Sequence, residues 1–155
     1  MKIICDTQEK KDLFLFKSYA DVSLIHRKLD TGDYSIEGFE NEITVDRKAS
    51  TGELYGNLGN DYKRFKKELD RMGKITHSFF ICAFPYSDLS IFPERSGIPN
   101  YRWKYLKMTG SFLRKKINDI QEEYPNIQFL FYNNKYEAEN ATYSILKEFM
   151  NGRQT

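Results

Sequence analysis

Residues 29–50 read LDTGDYSIEGFENEITVDRKAS, and the fold turns on how this stretch pairs with itself. "GDYSIEG" and "EITVDRKA" both carry the apolar alternation of strands, and residues 38–41 supply a turn between them. Asp33, Asp46, Arg47 and Lys48 sit in or beside these strands. Charges at such positions are costly unless they are paired or hold an ion. Residues two apart in a strand share a face, so Asp46 and Lys48 point one way and Arg47 the other. Residues 34–45 suffice for a strand, a turn and a return, so an antiparallel hairpin would bring Asp33 beside Asp46.

Two carboxylates with a lysine near strand ends form a hard-oxygen site suited to Mg²⁺ or Mn²⁺. Such a site suits phosphodiester hydrolysis: a cation there would neutralise phosphate charge and acidify a water. The lysine would orient or deprotonate that water and stabilise developing negative charge. The same Asp, gap, Asp-x-Lys spacing also arises by accident in surface hairpins, with Lys48 simply balancing Asp33.

Outward from this stretch, "KIICD" reads as a short buried strand and "VSLIHRKL" as another. "LFLFKSY" between them suits a strand continuation or a helical turn. Together with the hairpin these suggest an antiparallel meander. From about Ser50 the period changes. Tyr62, Phe65, Leu69 and Met72 fall at helical spacing, and Gly73 suits the helix end. "HSFFICAF" is a central buried strand by its continuous apolar run. The stretch with Pro85, Pro93 and Pro99 reads as a long loop. Leu106, Leu113, Ile117, Ile120 and Tyr124 mark a second amphipathic helix. "IQFLFY" is a further strand, and residues 136–150 form a last helix with Ala138, Ala141, Ile145 and Phe149 inward. This order predicts an α/β domain over residues 1–155, with a mixed β-sheet flanked by helices.

The chain has 155 residues, 12 Phe and 11 Tyr, enough to bury a real core. Its formal net charge of +2 argues neither for nor against a nucleic-acid partner, so local clustering has to decide. Cys5 and Cys82 lie far apart in apolar contexts, as expected for reduced, buried thiols of a cytoplasmic protein. "MKIICDTQEK" is charged too early for a signal peptide, and no apolar run approaches a membrane span. His26 and His77 lack ligand-like neighbours and read as strand-edge or capping residues.

The motifs "GDY" and "VDRK" together resemble the signature of the XPF-type nucleases: Gly-Asp, a gap, Glu-Arg-Lys, then an acid. "ICDTQEKK" matches that family's Asp-x-Arg-Glu at the end of the first strand. The resemblance runs on through "YKRFKKELDRM" and "YNNKYEAENATYSILKEF", and so covers nearly the whole chain. It implies a restriction-endonuclease-like core and a metal-dependent endonuclease for branched, flap, fork or junction DNA in a bacterial or phage-infected cell. It further implies Asp33 and Asp46 as metal ligands, Lys48 as the catalytic lysine, and Asp6 and Glu9 as supporting acids. Arg47 would serve structure or a phosphate contact.

Three positions depart from the pattern. Asp46 replaces the family glutamate, Gln8 replaces the arginine of the first motif, and Gly52 stands where the last acid should fall, with Glu53 the nearest substitute. A sequence-specific or nicking enzyme, or an inactive DNA-binding scaffold, are the competing readings. The chain ends at "NGRQT" without the tandem helix-hairpin-helix module of larger members. Targeting would then come from this domain, a homodimer or a separate protein.

Two basic clusters are candidate DNA contacts. Lys63, Arg64 and Lys67 lie on the helix around residues 61–72, although a plain solvated face fits them equally. Arg102, Trp103 and Lys104 interleave with Tyr101 and Tyr105, as suits base stacking and phosphate contact at unpaired DNA. Trp103 could as easily point inward and pack a helix start.

Overall fold

A computed structural model describes residues 1–7 and 14–153. The strands are β1 (Lys2–Cys5), β2 (Ser23–His26), β3 (Tyr34–Ile36), β4 (Ile43–Lys48), β5 (His77–Cys82) and β6 (Ile127–Phe131). The helices are α1 (Thr51–Leu58), α2 (Tyr62–Met72), α3 (Gly110–Glu123) and α4 (Lys135–Arg153). The strands form one mixed sheet in the order β2-β1-β3-β4-β5-β6.

The hairpin forms as expected, with Tyr34 opposite Val45. The meander does not extend to β2, which pairs parallel to β1 at the sheet edge. The reason is the length of the connection between them. A tight turn returns a chain antiparallel, whereas a dozen or more residues allow a parallel crossover. Phe14 and Phe16 lie on that crossover and are buried outside any strand or helix. Phe14 stacks on Tyr34, so burial of its rings, rather than strand pairing, holds the segment.

Alternation along β4 divides its side chains between two cores. Ile43 and Val45 join Ile3, Tyr34, Ile81, Ala138 and Leu146 on the α4 side. On the other face, Leu54, Phe65, Leu69, Phe80, Leu113 and Ile117 pack α1, α2 and α3 against the sheet. In α2 the buried residues are Phe65, Leu69 and Met72, and Gly73 ends the helix as expected. Tyr62, assigned to the same stripe, is exposed. α3 begins only at Gly110, so Leu106 precedes it. Residues 86–105 contain two short 3-10 turns within the expected loop.

In α4 the buried stripe is Ala138, Thr142 and Leu146. Ala141, Ile145 and Phe149 flank it half-buried, a rotation of about one residue from the expected face. Thr142 can occupy the centre because its hydroxyl donates to the Ala138 carbonyl at 2.9 Å. The thiols of Cys5 and Cys82 are buried. Among the described residues no helix is long and apolar enough to cross a membrane.

β1, β4, β5 and β6 run in the same direction, so the carboxyl ends of β1 and β4 lie at one edge, where β3 begins. Crevices at the carboxyl ends of strands are where open α/β sheets take their ligands.

Candidate active site

A cleft of about 430 Å³ opens at that edge, and its walls are strongly polar. Asp6, Asp33, Asp46, Arg47 and Lys48 line it from the sheet, and Glu53, Asn57, Arg64, Glu68 and Arg71 line it from α1 and α2. The sheet residues are the ones expected from sequence. Glu9 falls on residues 8–13, outside the described residues.

Asp33 bridges β3 and β4. Its N–H donates to the Val45 carbonyl at 2.8 Å, and its Oδ2 accepts the Arg47 N–H at 2.7 Å. The preceding residue must be glycine. Gly32 has φ +76°, and a Cβ there would lie 2.1 Å from Thr44 Oγ1. Asp6, at the end of β1, donates its N–H to the Asp33 carbonyl at 2.8 Å, and its Oδ1 accepts the Leu29 N–H at 2.8 Å. The first acid thus pins residues 27–30 beside the cleft.

Asp46 and Lys48 share a face of β4, with Lys48 Nζ 2.9 Å from Asp46 Oδ2 and the two side chains only 6% and 8% exposed. The ammonium also stands 5.3 Å from the Phe65 ring centre and 5.5 Å from that of Phe80. Burial opposes its charge, but the carboxylates of Asp46, Glu68 and Glu53 outweigh this and hold its pKa above the ordinary lysine value. Lys48 is therefore a cation at neutral pH. Arg47 points away from the Asp46–Lys48 face, its guanidinium 5.8 Å from the Phe14 ring centre.

Glu53 does reach the cleft, from the first turn of α1. Its N–H donates to the Ser50 hydroxyl at 3.3 Å, while its Oε1 accepts the Ala49 N–H at 2.7 Å, in the manner of a capping box. Glu68 also lines the cleft and was not among the residues expected from sequence. Burial and then the neighbouring Asp46 carboxylate push its pKa up to about 7. Arg64, Glu68 and Arg71 each stand one place before a buried residue of α2. That offset, visible in the sequence, marks the side of the helix turned toward the sheet edge.

The donor set fits a hard cation. Asp33 and Asp46 offer carboxylate oxygens of the kind such a cation takes, with Asp46 Oδ2 buried and 2.9 Å from the Lys48 ammonium. Among the described residues no three acids, histidines or cysteines already converge on one point.

The basic candidates divide. Arg64 is exposed at the cleft wall, whereas Lys63 and Lys67 are exposed on a neighbouring stripe of α2 that does not line it. Arg102 and Lys104 are exposed on the turn Asn100–Tyr105. Trp103 is half-buried and its Nε1 donates to the Ile98 carbonyl at 2.8 Å, so the inward alternative describes it. The rings open to solvent there are Tyr101 and Tyr105, 74% and 69% exposed. His77 packs edge-on against Phe149, in keeping with a strand-edge role.

The class this architecture defines is a mixed six-stranded sheet flanked by helices, similar to the XPF nuclease domain. XPF from Aeropyrum pernix superposes with a TM-score of 0.68 at 18% identity, covering 97% of this chain and 65% of that one. XPF from Aeropyrum pernix in complex with DNA gives 0.67 at 17% identity, covering 97% and 66%. The chain thus spans just under two-thirds of the XPF chains it resembles, and at this identity the likeness is one of fold. The sequence matches no family model and no curated protein.

Proposed function

We propose that the protein is a Mg²⁺- or Mn²⁺-dependent DNA endonuclease acting on branched or partly single-stranded DNA. The observation that carries this reading is the cleft itself. Asp33, Asp46 and Lys48 meet at the carboxyl end of β4, on a fold whose neighbours include an XPF complex with DNA. In this reading Asp33 and Asp46 hold the cation, which supplies charge neutralisation at the scissile phosphate and an acidified water.

The chain's own residues do the rest. Lys48, protonated and fixed over Phe65 and Phe80, donates to the phosphate oxygen where negative charge develops. Asp6 positions the loop before Asp33, and the Arg47 N–H holds the Asp33 carboxylate in register. Arg64 and Arg71 on the cleft wall take backbone phosphates on either side of the cut. Lys63, Lys67, Arg102 and Lys104 extend the cationic surface, and Tyr101 and Tyr105 offer stacking surfaces to unpaired bases. Contacts to phosphates and ring faces sense shape more than sequence, which is why branched DNA is the proposed substrate. Target choice falls to this domain, a second copy of it, or a separate protein.

The test is cleavage of labelled duplex, single-strand, flap, fork and four-way-junction DNA with Mg²⁺, Mn²⁺ or chelator, using Asp46→Ala as control. Metal-dependent cutting of a branched form, lost in Asp46→Ala, is expected. Cutting of plain duplex at fixed sequences would replace this reading with a sequence-specific enzyme. Tight binding without cleavage under any metal would leave only a DNA-binding scaffold.

A further inference from the structure

The sheet edge that carries the cleft has a second groove on its α4 side. β6 runs in the same direction as β4 and β5, and α4 starts at Lys135, soon after β6 ends at Phe131. The first turn of α4 therefore stands at that same edge. The β1–β2 crossover meets it there. The Phe14 N–H donates to the Tyr34 hydroxyl at 2.7 Å, and the Phe16 N–H donates to Glu139 Oε2 at 3.1 Å. Between these anchors Leu15 turns outward, and with Lys17, Lys135 and Tyr136 it lines a groove of about 220 Å³.

Arg47 and Tyr34 connect this groove to the cleft. Arg47 lines the cleft with its guanidinium 5.8 Å from the Phe14 ring centre, and Phe14 stacks on Tyr34, the residue after Asp33. The groove's chemistry is that of a nucleic-acid contact. Tyr136 is 81% exposed, so its ring adds little to the chain's own packing and leaves a face for a base. Lys17 and Lys135 are exposed, and among the described residues neither is in an ion pair. The acids nearby are turned to backbone amides instead, Glu139 to that of Phe16 and Glu137 to that of Asn133 at 2.8 Å. Two cations beside one open ring match phosphates and a stacking base, whereas the core of a protein interface is depleted of charge.

We propose that Leu15, Lys17, Lys135 and Tyr136 form a binding site for an unpaired nucleic-acid strand that leaves the cleft past Asp33 and rounds the sheet edge onto the α4 side. This rests on the reading of the cleft as a DNA site and adds a second contact to it. The two lysines take phosphates of the strand, and Tyr136 stacks a base against Leu15. The turn Asn100–Tyr105 lies on the other side of the sheet, where the following Lys107 N–H donates to the Tyr55 hydroxyl of α1 at 3.2 Å. The two strands of a branch would thus part across the sheet edge.

The test is fluorescence anisotropy of the intact chain, in chelator, on branched DNA of fixed duplex with unpaired arms of about 2 or about 12 nucleotides. The variants are Lys17→Ala combined with Lys135→Ala, and Tyr136→Ala, with far-UV spectra to check folding. Longer arms should tighten binding by the unmodified chain. The double lysine variant should lose that gain and lower the logarithmic salt slope by about 1.4. Tyr136→Ala should weaken long-arm binding by about fivefold or more, and neither variant should alter short-arm binding. An undiminished gain from long arms in both variants would overturn the proposal, as would no gain in the unmodified chain. A lower oligomeric mass of Tyr136→Ala with the long-arm gain intact would overturn it in favour of a second copy in the groove. If the arm effect holds but the unmodified chain cuts none of these DNAs with Mg²⁺ or Mn²⁺, the groove stands and only the nuclease reading falls.

Discussion

The Arg47 N–H donates to Asp33 Oδ2 at 2.7 Å, so the backbone of one strand fixes the carboxylate of its neighbour at the mouth of the cleft. This bond makes Asp33 a structural residue as well as a proposed ligand. Asp33→Ala would strand the Arg47 amide, at a cost of about 1–3 kcal/mol. Asp33→Asn keeps an acceptor and should lose less than half as much, although it removes the charge. Urea unfolding of the two variants separates the effects: both should be inactive, and only Asp33→Ala markedly less stable.

Lys48 and Asp46 are a buried pair, and removing one partner leaves the other charge uncompensated. Lys48→Met should therefore destabilise the metal-free protein by about 3–5 kcal/mol, and the double variant with Asp46→Leu by less than the sum of the singles. A double-mutant cycle in denaturant measures this. Additive losses would show that the pair is not coupled.

Asp21 offers a pH readout remote from the cleft. Hydrogen bonds from Lys147 and then Tyr143 lower its pKa below the ordinary 3.8, joining the β2 crossover to α4. A carboxyl whose folded pKa is depressed contributes stability above its unfolded value, and this is lost as pH falls through the folded value. Stability should thus decline below about pH 4, and Asp21→Asn should flatten that decline while leaving the slope near neutrality unchanged. Melting temperatures taken from about pH 6 to about pH 2 check it.

Arg64 and Arg71 line the cleft, while Lys63 and Lys67 face solvent on an adjacent stripe. Under the proposed function, Arg64→Ala should weaken DNA binding more than Lys63→Ala and lower the logarithmic salt slope by about one. Fluorescence anisotropy across a salt series reads both quantities. Equal small effects from the two variants would move the binding surface away from the cleft wall.

The alternation of residues 43–48 was enough to separate Asp46 and Lys48 from Arg47, and the period of Phe65, Leu69 and Met72 was enough to set the inward face of α2. Both rest on local geometry, which assigns residues to faces without reference to the rest of the chain. Ser50 and Glu53 carry a helix start in the same way, although α1 as a separate helix ahead of α2 was not distinguished.

The β3–β4 hairpin was legible in the sequence, but only the tertiary structure decided how β2 pairs and what meets across the cleft. β2 lies parallel to β1 because the intervening connection is long and its aromatic rings bury on the sheet, a balance of distant contacts that no local period encodes. Trp103 turned inward to the Ile98 carbonyl for the same kind of reason, a partner supplied by the surrounding loop. Glu68 lines the cleft because α2 packs Phe65 and Leu69 against Phe80, turning one flank of the helix over the end of β4. Periodicity in the sequence determined the face each residue occupies, and non-local burial determined which faces meet, because the apolar area buried between distant segments selects among the pairings that local geometry leaves open.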